Sequence, residues 1–84
     1  MPPIFLSKYI VCDPKILSGK PVIKGTRISV EFVLELLRSG MSFDEILKHY
    51  KHLTKTDLEA TLAFAKHAVS HEEVASLELV ASAR

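Results

Sequence analysis

Ser42-Phe43-Asp44-Glu45-Ile46-Leu47-Lys48-His49-Tyr50-Lys51-His52-Leu53-Thr54-Lys55-Thr56-Asp57-Leu58 is the stretch on which the fold of this chain turns. Ser42 and Glu45 stand three apart, the spacing of a capping box, in which a hydroxyl and a carboxylate each satisfy a backbone N–H at a helix start. Ile46, Leu47 and Tyr50 then form a short apolar stripe. Thr54 caps a second helix beginning at Lys55, with Leu58, Leu62, Ala65 and Val69 on one face. The intervening Lys51-His52-Leu53 has the length that joins consecutive helices packed at an angle. A short helix, a tight turn and a longer helix make a helix-turn-helix, whose second helix can enter the DNA major groove.

Upstream, Val30, Val33, Leu34 and Leu37 recur at three- and four-residue spacing and predict another helix, capped by Ser29 and stopped by Gly40. From Ile4 to Ile28 no such period exists. Short β-branched and aromatic runs there are broken by Asp13-Pro14, Ser18-Gly19-Lys20-Pro21 and Lys24-Gly25, which is strand and turn chemistry. Gly25 is expected to supply a positive φ between Ile23 and Ile28. The fold class is mainly α: short N-terminal β-strands over residues 4–28, then a tri-helical helix-turn-helix bundle of homeodomain-like type over residues 30–69. Residues 70–84 read either as a helical extension, with Ser70 and Glu73 as a further capping box, or as a tail that orders on a partner. The whole chain, residues 1–84, reads as a single domain.

A chain of 84 residues buries only about 60% of its unfolded surface, so dimerisation would aid it and a large catalytic cleft is not expected. With 48% apolar and 25% charged residues it is a globular composition. No apolar run approaches a membrane helix, no signal peptide is evident, and the single cysteine, Cys12, fits a reducing compartment, so the expectation is a cytoplasmic protein. The net charge of +1 is uneven. Residues 1–29 carry five cations against Asp13 alone, whereas residues 30–84 carry 6 basic and 9 acidic groups.

On the helix-turn-helix reading, Lys55, Thr56, Glu59 and Ala60 lie where side chains reach base edges, and Lys24 and Arg27 are candidate phosphate contacts. Arg27 has a second reading, in which its guanidinium holds Glu31 or Glu35. His67 and His71 share a helical face, but no third ligand accompanies them, and His49 and His52 suit a helix C-terminus instead. Neither Gly19-Lys20 nor Lys24-Gly25-Thr26 has phosphate-loop spacing, and Cys12 has no base to activate it. The chain therefore reads as a non-enzyme requiring no cofactor. The competing reading is a protein-binding adaptor with a tri-helical fold and no DNA affinity.

The run DPKILSGKPVIKGTRISV over residues 13–30, followed by Gly40-Met41-Ser42, Leu53-Thr54 and Asp57-Leu58, resembles the small prokaryotic family catalogued as domain of unknown function four-three-three. The likeness covers about residues 8–66. It implies short strands before a helix-turn-helix and a VapB-type antitoxin, a regulator that binds operator DNA and neutralises a PIN-like ribonuclease toxin encoded alongside. The motif residues Gly19, Lys20, Pro21, Gly25, Thr26, Arg27 and Ile28 carry over as fold determinants. Because such nucleases cluster acidic residues around a divalent metal, a basic side chain is the expected blocker, and Lys66 and Arg84 are the candidates. A homodimer joined through the strand segment is expected, since a helix-turn-helix repressor reads a two-fold operator.

Overall fold

The computed structural model describes residues 3–70, so the expectations for residues 71–84 lie outside the described residues. Three short strands, β1 (Ile4–Phe5), β2 (Ile10–Cys12) and β3 (Pro21–Ile23), form an antiparallel sheet in the order β1-β2-β3. Ile10 pairs with Ile23, Val11 with Val22 and Cys12 with Pro21. Proline is tolerated at the first residue of a strand, which is where Pro21 stands. Strands of two or three residues do not hold alone. Here α3 packs on β2 and α1 on β3, burying Ile10 and Ile23 completely.

The β2–β3 connection opens with an Asx-turn, Lys15 N–H donating to Asp13 Oδ1 at 2.9 Å. It closes with a left-handed turn in which Leu17 and Ser18 both take positive φ, +48° and +57°. After β3, Thr26 N–H returns to the Ile23 carbonyl at 3.0 Å, with Gly25 at φ +82° in the third position of the turn. Lys24 keeps a negative φ, so this is a type II turn, the one that demands positive φ at that position. Thr26 Oγ1 locks it, donating to the Ile23 carbonyl at 2.8 Å and accepting from Ile28 N–H at 3.0 Å. A Cβ added at Gly25 meets nothing within 4 Å, so the cost of replacement is purely conformational. Gly25→Val is expected to lower unfolding free energy by about 1–3 kcal/mol, read from urea denaturation; an unchanged midpoint would show that the turn relaxes freely.

Each helix starts where a hydroxyl stands. Ser29 Oγ accepts from Phe32 N–H at 2.9 Å to open α1 (Val30–Arg38). Its end is a Schellman motif: Gly40 N–H bonds Leu37 O at 3.0 Å and Met41 N–H bonds Leu36 O at 3.2 Å, with Gly40 at φ +102°. The capping box opens α2 (Phe43–His49), Ser42 Oγ accepting from Glu45 N–H at 3.1 Å and Glu45 Oε1 accepting from Ser42 N–H at 2.9 Å. Thr54 and Asp57 reciprocate in the same way at α3 (Lys55–Ser70), at 3.1 and 3.0 Å.

The hydrogen bonds from Ser42 hold the Glu45 carboxyl below its ordinary value of 4.5. A depressed folded pKa means that the unfolded chain binds the proton more tightly, so this contribution is whole above pH 4.5 and fades as pH falls below it. Glu45→Gln keeps the box geometry without the charge. The variant should therefore lose less stability than wild type between about pH 5 and pH 3, and parallel acid limbs in urea titrations would refute the assignment.

The core joins Ile10 and Ile23 of the sheet to Val30 and Val33 of α1, Ile46 of α2, Leu53 of the turn and Leu58 of α3. Phe32 meets Tyr50 edge-on at 5.7 Å, tying α1 to the end of α2. The expected apolar face of α3 is corrected by the structure: Leu62 is 43% and Val69 57% exposed, while Leu58 and Thr61 are fully buried. Because α3 packs against α1, α2 and β2, the inward arc is turned toward Thr61, whose hydroxyl is satisfied by the Asp57 carbonyl at 3.0 Å.

Candidate nucleic-acid interface

A turn over residues 50–54, closed by Leu53 N–H on Tyr50 O at 3.0 Å, sets α2 against α3 in the order of a helix-turn-helix. Leu53 is buried in this turn and pins it to the core, which pushes the polar residues around it outward. Lys55, Thr56 and Glu59 are exposed on the first turns of α3, as a base-reading face requires. Ala60 is not available for that role, because it is half-buried and packed against the core. Asp57, an acidic residue on the same first turn, has its carboxylate engaged by the backbone N–H of Thr54.

Sequence reasoning missed the strongest feature of the site. Lys48, His49, Lys51, His52 and Lys55 are all exposed, and no Asp or Glu occurs between residues 48 and 55. In DNA-bound helix-turn-helix domains the first helix crosses the phosphate backbone while the second enters the groove, so cations at such a joint face phosphates there. The signal was present as an acid-free run of eight residues, but it is divided among a helix end, a turn and a cap.

The second missed element is the β1–β2 turn. Ser7 Oγ accepts from the N–H groups of Tyr9 and Ile10, both at 3.1 Å, fixing a tip that presents the exposed Lys8 with its ammonium 5.9 Å from the Tyr9 ring centre. A groove of about 500 Å³ separates this turn from α3, with Leu6 and Tyr9 on one side and Thr56, Glu59 and Ala63 on the other. Lys24 N–H donates to the Tyr9 carbonyl at 2.8 Å, so the Lys24-Gly25 turn abuts the same corner.

Arg27 is exposed, and the carboxylates offered to it are taken: Lys20 holds Glu31 at 3.0 Å and Arg38 holds Glu35 at 2.6 Å. Its reading as a carboxylate clamp is thereby corrected, and the motif lysine is the one that links the sheet side to α1. Both pairs are exposed and add little stability, although the Arg38 hydrogen bond lowers the Glu35 pKa. Lys66 and His67 are exposed on α3; Arg84 and His71 lie outside the described residues. Among the described residues no group of His, Cys, Asp and Glu could hold a metal ion, and no helix is long and apolar enough to cross a membrane.

A family model described as Protein of unknown function (DUF433) matches residues 10–65, from the first residue of β2 into α3. No curated protein and no solved structure matches the chain.

Proposed function

From a chain that belongs to the DUF433 family of proteins of unknown function, we propose a DNA-binding helix-turn-helix regulator of the antitoxin type that also neutralises a PIN-like ribonuclease. The observation that carries the DNA half is the exposed, acid-free basic run from Lys48 to Lys55 across the joint of the two helices. Phosphate neutralisation supplies most of the affinity in such a contact, and the exposed Lys8 and Lys24, on the two turns joined through Tyr9, extend it. Base reading falls to Lys55 and Thr56. The described part of α3 carries no arginine, so a bidentate guanine contact from this helix falls to Lys55.

The nuclease half rests on the family resemblance and on Lys66, an exposed cation that an acidic metal site could accept. An adaptor that binds protein alone is the second reading, favoured by an apolar groove between α1 and α3. Co-expression with the product of the adjacent gene, followed by titration of the complex and of the free chain onto the shared promoter, separates them. The proposal expects co-purification and promoter binding that weakens with salt. Co-purification without promoter binding at low salt would leave the adaptor, and loss of both would remove the antitoxin reading.

A further inference from the structure

Given the DNA reading of the α2–α3 joint, on which this assignment rests, we propose that Glu59 determines sequence specificity by accepting a hydrogen bond from the N4 amino group of a cytosine, with Lys55 on the guanine paired to it. The duplex this chain prefers then carries a G·C pair under the second turn of α3.

Burial of Leu58 and Thr61 turns the opposite side of α3 outward. Glu59 lies on that side with Thr56 three residues before it and Ala63 four residues after, all three exposed. Its carboxylate is uncommitted. The ion pairs among the described residues are Lys20 with Glu31 and Arg38 with Glu35, and Glu59 makes neither an ion pair nor a side-chain hydrogen bond there. Lys55 stands four residues before Glu59, a spacing at which the two side chains can meet, and yet they are not paired. Asp57, the other acid of α3, is engaged by Thr54. Glu59 is therefore the carboxylate that α3 offers to a ligand.

The groove chemistry then decides which base it meets. Phosphates repel a carboxylate, so an anion on a helix that enters the groove gains only where a base edge donates to it. Guanine presents acceptors at N7 and O6 and thymine an acceptor at O4, and both repel Glu59 as phosphates do. Adenine presents its N6 donor together with the N7 acceptor, whereas cytosine presents the N4 donor without an acceptor. Cytosine is the base that suits a carboxylate best. The guanine of the same pair offers N7 and O6 to a cation, and side chains four residues apart on a helix start about 5–6 Å from each other at Cβ. Lys55 and Glu59, side by side and not joined to each other, match the acceptor and donor halves of one G·C pair.

Selection from a pool of randomised duplexes at low salt, run in parallel on the full chain and on its Glu59→Gln and Glu59→Ala variants, tests the assignment. Wild type is expected to enrich duplexes with one position fixed as cytosine, and replacing that cytosine in a selected duplex should weaken binding about tenfold or more. Glutamine carries a donor beside an acceptor and fits adenine N6 and N7, so Glu59→Gln should move the enriched base at that position from cytosine to adenine. Glu59→Ala should lose the preference there and bind unselected DNA at least as tightly as wild type, an anion having been removed. Glu59 is exposed, so circular dichroism should be the same for all three chains. Bound duplexes with the same base preferences for wild type and Glu59→Gln, or with no enriched base at all, overturn the assignment and leave the DNA reading standing. A wild-type chain that retains no duplex at any salt overturns both.

Discussion

Leu58→Ala should remove a large share of the folding free energy. Leu58 is fully buried in the first turn of α3, in the same core as Ile46 of α2 and Leu53 of the connecting turn, so the side chain holds the two helices at their joint. Truncating a buried leucine costs about 2–5 kcal/mol through lost burial and the cavity left behind. An 84-residue chain has a total of about 4–13 kcal/mol at typical values per residue. The internal control is Leu62→Ala, one turn further on, where the side chain is 43% exposed and the expected loss is under about 1 kcal/mol. Urea denaturation of the two variants should show widely separated midpoints; equal shifts would mean that α3 is rotated relative to its core.

The second large effect concerns the basic joint. Replacing Lys48, Lys51 and Lys55 together by alanine removes three exposed cations, each of which, if it neutralises one phosphate, contributes about −0.9 to the slope of log affinity against log salt on duplex DNA. The triple variant should therefore bind with a slope shallower by up to about 2.7 and bind far more weakly at low salt. Its fold should persist, since exposed substitutions usually change stability by no more than about 0.5 kcal/mol. Circular dichroism and a salt series by fluorescence anisotropy separate the two effects. An unchanged slope would show that these lysines do not meet phosphates.

Local chemistry made most of the fold legible. The helix starts at Ser29, Ser42 and Thr54 each depend on a hydroxyl and a backbone N–H within three residues, and the stops at Gly25 and Gly40 depend on a backbone angle that glycine takes at no steric cost. What escaped the sequence depends on distance. The partner of Glu31 is Lys20, eleven residues away and brought close only when β3 packs on α1. The inward arc of α3 depends on three neighbours at once, which is why Leu62 and Val69 read as core and are not. Lys8 became a candidate contact only when the β1–β2 turn was found across a groove from Thr56.

The central claim is that DNA meets this chain at the α2–α3 joint. Titrating the isotope-labelled protein at low salt with a duplex from its own upstream region, and following the backbone amides by NMR, tests it most directly. The account predicts shifts concentrated between residues 48 and 59 with Lys8 and Lys24 beside them, while amides of the α1–α3 groove stay in place. Amides that stay in place throughout the titration, or shifts confined to α1, would contradict it.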